Sequence, residues 1–106
     1  MTGKQIVLCA VGSEEEARKI GHNLVERRLA ACVNIVPQIT SIYQWQGKVE
    51  ECGEWLLLIK TSAEVFGSVQ AVIRELHSYE LPECVAVDIT DGSPEYLKWI
   101  ENWVGK

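Results

Sequence analysis

At 106 residues, 47% apolar and 24% charged, the chain has the make-up of one ordinary soluble domain spanning residues 1–106. A net charge of −5, with no Lys/Arg cluster beyond Arg27-Arg28, excludes the basic face that a nucleic-acid partner requires. No apolar run reaches the roughly 18 residues of a membrane span, so no membrane partner is expected. Met1-Thr2-Gly3-Lys4 leads straight into a strand rather than a signal peptide, which makes the cytoplasm the expected location.

Gln5 to Val11 is short and almost continuously apolar, as a central strand would be. Gly12 ends it. Ser13 caps a helix, with Glu16 completing a capping box and Glu14, Glu15 and Glu16 facing the positive end of the dipole. Ala17, Ile20, Leu24 and Val25 form its apolar stripe. The helix is expected to run to about Arg28, with Arg27 and Arg28 in its last turn.

From Val33 to Lys60 the sequence reads as two long extended arms joined by a tight turn at Gln46-Gly47-Lys48. The first arm is rich in β-branched and aromatic residues, and the second ends in the apolar run Trp55 to Ile59. Each arm is about a dozen residues, roughly twice the usual strand, and reaches about 40 Å. Pro37 is expected to kink or bulge the first arm, because proline cannot donate to a ladder. An apolar arm longer than its own domain can cover needs a partner strand or surface. The chain is therefore expected to oligomerise through this hairpin, with Ile39, Ile42, Tyr43, Trp45 and Trp55 at the interface.

Thr61-Ser62-Ala63-Glu64 reads as a second capping box, followed by Val65, Val69, Val72, Ile73 and Leu76 at helical spacing. Pro82 closes that unit. Val85, Val87 and Ile89 alternate with Ala86, Asp88 and Thr90 as a fourth strand. After the Asp91-Gly92 turn, Ser93-Pro94-Glu95 opens a third helix over Tyr96 to Val104. The order βαββαβ plus a terminal helix predicts an α+β, ferredoxin-like sandwich with a long hairpin between strands two and three. Right-handed crossovers are expected to set strands one and three side by side and parallel in the centre, with strand two outside three and strand four outside one. Both helices then cover one face of the sheet. The other face is too apolar for water, and a cyclic oligomer would bury it.

The four cysteines, Cys9, Cys32, Cys52 and Cys84, are far apart and form no C-x-x-C pair, so they read as reduced, packed thiols. Cys52, near the hairpin tip, is the one expected at the surface. His22 reads as a surface histidine with no ligating i+4 partner. The densest functional types lie in His77–Glu83, where His77, Tyr79, Glu80 and Glu83 flank Leu81-Pro82. One reading is a cleft at a subunit boundary, with Trp45, Lys48 or Lys60 supplied by another chain. The other is a helix terminus with His77 near carbonyls and solvated glutamates. No nucleophile elbow, P-loop or phosphate-binding arginine in the first loop is present, so no catalytic residue is assigned and an enzyme is not expected.

Leu29-Ala30-Ala31-Cys32-Val33-Asn34-Ile35, Tyr43-x-Trp45-x-Gly47-Lys48, Leu58-x-Lys60-Thr61, His77-Ser78-Tyr79-Glu80-Leu81-Pro82-Glu83 and Tyr96-Leu97-x-Trp99 together resemble the CutA divalent-cation tolerance family over nearly the whole chain. The resemblance implies a cytoplasmic homotrimer similar in plan to the PII signalling proteins. It implies weak binding of divalent metal, copper first, with Cys9 and His77 matching the family's ligands. Leu76 stands where a second histidine would be, and Ser78 replaces a proline. The alternative function is a PII-like signalling or scaffold trimer that binds a small ligand or a partner protein.

Overall fold

The computed structural model describes residues 2–106. The elements are β1 (Lys4–Val11), α1 (Glu14–Glu26), β2 (Cys32–Trp45), β3 (Lys48–Ser62), a 3₁₀ turn (Ala63–Val65), α2 (Phe66–Leu76), β4 (Val85–Asp88) and α3 (Pro94–Trp103). They form an α+β sandwich around one four-stranded sheet of order β2-β3-β1-β4. That order is as expected, but the central pair β1–β3 is antiparallel, not parallel. The crossover through α1 joins β1 to β2 and leaves a gap one strand wide. β3 then fills the gap by hairpin return, which makes it antiparallel to both neighbours. No helix among the described residues is long and apolar enough to cross a membrane.

Pleat parity decides what each strand residue faces. Val7, Cys9 and Val11 of β1 stand opposite Ile59, Leu57 and Trp55 of β3. This set meets Ala17, Ile20 and Leu24 of α1 and Val69, Val72 and Ile73 of α2 in the main core. Burying each large aliphatic side chain there contributes about 1.5–3 kcal/mol. Trp55 packs against this core, so its parity turns it away from the open face and from the interface expected for it. A smaller cluster of Ala31, Ile100 and Val104 lies under α3. Trp103 Nε1–H donates to the Val25 carbonyl at 2.9 Å, and the Arg28 guanidinium lies 3.8 Å above the Trp103 ring.

The open face carries Ile6, Leu8, Leu56 and Leu58, which are only half-buried, and Val85 and Val87, which are 50% and 52% exposed. The hairpin runs out from this sheet and gives the molecule a long axis of 44 Å against 25 and 22 Å across. At its tip Trp45 pairs with Lys48, and Gln46 and Gly47 both take positive φ (51° and 81°), a two-residue I′-type turn. At Pro37 the register slips. Val36 faces Leu56 and Ile39 faces Glu54, so Pro37 and Gln38 together oppose Trp55 alone. Gln38 takes φ 55° to do this.

Two cap expectations are corrected. Ser13 Oγ does accept the Glu16 N–H at 3.2 Å, but the Glu16 carboxylate does not return to Ser13; it reaches the loop after α2 instead. Thr61 and Ser62 remain in β3: Ser62 stands at the cap position of the 3₁₀ turn without a side-chain cap bond, and the Thr61 hydroxyl donates to the Leu29 carbonyl at 2.6 Å instead. α1 ends at Glu26, with Arg27 as the cap residue and Arg28 at φ 59° beyond it. Ser93 caps α3 as expected, accepting the Tyr96 N–H at 3.3 Å with Pro94 in the first turn.

Candidate functional site

α2 stops at Leu76, and His77 turns extended while its N–H still closes onto the Ile73 carbonyl at 2.8 Å. The His77 side chain is fully buried. Its Nε2 lies 2.8 Å from the Ala10 carbonyl, which requires the proton on Nε2. Nδ1 accepts the Tyr79 N–H at 3.1 Å. Glu16 of α1 completes the anchor: Oε1 accepts the Ser78 N–H at 3.2 Å, and Oε2 sits 3.5 Å from His77 Nδ1 with no hydrogen bond of its own. His77 thus pins the loop 77–84 to the end of β1.

This pinning carries Tyr79 past Gly12. A Cβ at Gly12 would lie 2.9 Å from Tyr79 Oη, so any larger residue there must displace the Tyr79 hydroxyl. Tyr79 Oη–H donates to Glu54 Oε2 at 2.7 Å, and its ring tilts against His77 at 4.7 Å between centroids. Burial of the hydroxyl, then the bond to Glu54, hold the Tyr79 pKa well above the ordinary tyrosine range. Tyr43 is also raised, first by its contact with the Cys52 thiol at 3.7 Å.

Between the outer hairpin and the loop lies a hollow of about 630 Å³. Its walls are Ser41, Tyr43 and Trp45 from β2, Glu54 from β3, Ala10 from β1, and Tyr79, Glu80, Leu81 and Glu83 from the loop. Trp45, Tyr79, Glu80 and Glu83 are therefore brought together, and within one chain. Glu54, only 6% exposed, is the side chain that the sequence reading missed. Its signal was a lone carboxylate just ahead of Trp55 to Ile59, at the parity of Leu56 and Leu58.

Other expectations are redistributed. Lys48 is exposed at the tip and does not line the hollow. Lys60 pairs with Cys32 at the far end of the sheet, six residues or about 20 Å along β3 from Glu54, and its ammonium bonds Asn34 Oδ1. Ile42, Tyr43 and Trp45 are exposed in the single chain (68%, 44% and 38%), whereas Ile39 is half-buried. His22 lies on the surface as expected, but Glu26 one turn on approaches to 4.0 Å, a neighbour the sequence reading passed over. Cys52 is half-buried like Cys32 and Cys84, because it leans on Tyr43.

The proposed copper ligands do not fit a metal. Cys9 is fully buried in the main core, which pushes its thiol up to about 12 and leaves packed side chains between it and solvent. The hydrogen bonds of His77 engage both ring nitrogens. No three His, Cys, Asp or Glu side chains converge anywhere among the described residues.

Fold and site together define a ferredoxin-like α+β protein with an aromatic and carboxylate-lined hollow where a long hairpin faces a pinned loop. The CutA1 divalent ion tolerance protein model matches residues 5–103. The divalent-cation tolerance protein CutA of Thermus thermophilus is 51% identical over 96% of this chain and 99% of its own, and its solved structure superposes with a TM-score of 0.95. CutA1 from Oryza sativa matches with a TM-score of 0.94 at 34% identity, covering 100% of this chain and 99% of that one. Mouse protein CutA is 46% identical over 83% of this chain, which spans 50% of the mouse protein's length. The chain belongs to the CutA1 divalent ion tolerance family.

Proposed function

We propose that the chain works as a homotrimer that binds divalent cations weakly, with each hollow forming part of a cleft where neighbouring copies meet. The observation that carries the assembly is the bare apolar face. Leu8, Leu56, Leu58, Val85 and Val87, with the exposed hairpin tip, leave one side of the sheet without cover. A soluble monomer rarely tolerates such a patch or so long a free hairpin, and a closed ring around an axis covers the patch and gives the hairpin a neighbour while the hollow stays open at the cleft. Light scattering is expected to give three times the 11.9 kDa chain mass. A soluble species of single-chain mass would overturn the reading.

The tie to divalent cations is supported by the names of the relatives and by Glu80 and Glu83 at the rim of the hollow. Carboxylate oxygens favour harder ions and give weak, unselective binding, in contrast to a thiolate and imidazole set selective for copper. Titration with Mn(II), Zn(II), Cu(II) and Cu(I) separates the two. Glu80→Gln with Glu83→Gln is expected to weaken binding while Cys9→Ser leaves it unchanged. The reverse pattern would restore the copper assignment.

A second reading, a PII-like signalling or scaffold trimer taking a small organic ligand, is favoured by the hollow itself. Its 630 Å³ exceeds what a bare ion requires. Neither reading includes a chemical step, and we propose a binding protein rather than an enzyme.

A further inference from the structure

We propose that the hollow is a binding site for an organic cation, an ammonium or guanidinium group carried on an apolar body. The inference rests on the small-ligand reading of the hollow and not on the metal reading. Glu54 is 94% buried at the hollow's floor (6% exposed). Its only hydrogen-bond partner among the described residues is the neutral Tyr79 hydroxyl on Oε2, and Oε1 has none. No lysine, arginine or histidine among the described residues comes within 4.0 Å of it. Buried charges in proteins are paired or neutralised by what they bind. This carboxylate therefore faces the hollow without its counter-charge.

The walls name the rest of the ligand. Tyr43, Trp45 and Tyr79 all line the same space and are each more than a third exposed. Aromatic faces attract cations through the ring quadrupole, and cages of this composition recognise ammonium groups. They also take the apolar body that carries the charge. Glu80 and Glu83 at the rim add to the negative potential that draws a cation in. A bare metal ion fits less well, since phenols and an indole are poor ligands and no three donors converge. A single lysine or arginine from a neighbouring copy would fill only a fraction of 630 Å³, a volume within the range of pockets for small organic ligands.

The test is calorimetric titration of the assembled wild-type protein with benzylammonium chloride, and with benzyl alcohol as the neutral isostere. Benzylammonium is expected to bind and to weaken as salt is raised, with benzyl alcohol at least about tenfold weaker. Glu54→Gln is expected to lose about tenfold or more, and Tyr43→Leu or Trp45→Leu several-fold. Absence of benzylammonium binding, equal binding of the alcohol, or unchanged affinity in folded Glu54→Gln each overturns the proposal. If Glu54→Gln does not fold, the wild-type comparison of the two ligands decides. A neighbour's basic side chain as occupant would appear as no benzylammonium binding together with loosened assembly in Glu54→Gln, and that also overturns it. Metal titration and mass measurement on the same samples keep its failure distinct from failure of the trimer or metal readings.

Discussion

Replacing Gly12 by alanine tests how tightly the loop is held against β1. The added Cβ would sit 2.9 Å from Tyr79 Oη, 3.4 Å from Cε1 and 3.5 Å from Cζ. Only the first contact is intolerable. Relief requires Tyr79 to swing away, which breaks its 2.7 Å bond to Glu54. A hydrogen bond to a charged group contributes about 1.5–3 kcal/mol, so Gly12→Ala is expected to destabilise by about 2 kcal/mol. In Tyr79→Phe the offending oxygen is already gone and the bond is already lost. There the same alanine is expected to cost well under 1 kcal/mol, which leaves a coupling of about 1–2 kcal/mol in the double-mutant cycle. Urea unfolding followed by tryptophan fluorescence, at one fixed protein concentration, measures all four proteins. Additive losses would refute the reasoning, because they would mean that Gly12 and Tyr79 act separately.

Three further outcomes follow from the geometry. Under native conditions at mildly alkaline pH, iodoacetamide is expected to modify Cys32, Cys52 and Cys84 while leaving Cys9 intact, since burial excludes reagent and holds its pKa up to about 12; peptide mapping that finds Cys9 modified at the same rate would refute this. Tyr79 is neutral and hydrogen-bonded in the fold, with its pKa raised, so its contribution is fully present below the ordinary tyrosine range and is lost as pH rises through the folded value. Alkaline unfolding is therefore expected to be less steep in Tyr79→Phe than in wild type, as read by circular dichroism. Gln38 holds φ 55° at the bulge, so Gln38→Gly is expected to be tolerated and Gln38→Val to cost about 1–2 kcal/mol in the same urea assay.

Much of the fold was legible because the signals were local. The caps at Ser13 and Ser93, the Gln46-Gly47 turn and the apolar spacing of both long helices each depend on residues within a few positions of one another. Strand order followed from handedness and hairpin return, while the direction of β3 relative to β1 was misjudged where those two rules act together. Trp55 was misplaced because composition alone does not reveal on which side of a pleat a tryptophan falls. The loop His77–Glu83 stood out by residue type, and its glutamates and tyrosine do line the hollow. What gives the hollow its character was not legible. Glu16 meets His77 across 61 positions and Tyr79 meets Glu54 across 25, and no local pattern announces contacts that only the folded chain makes.

The bulge at Pro37 and Gln38 sets a reading frame for half of the hairpin. Before it, even-numbered residues of β2 face the open side, and after it odd-numbered ones do. Deleting Gln38 would restore a regular ladder and keep both sides of the outer arm as they are, whereas deleting Thr40 with the bulge retained would exchange them. In that second case Tyr43 and Trp45 would turn to the opposite face, and Ile42 and Gln44 would take the places of Ser41 and Tyr43. The outer arm should therefore accept many single substitutions and few single-residue insertions or deletions, as a coding frame does.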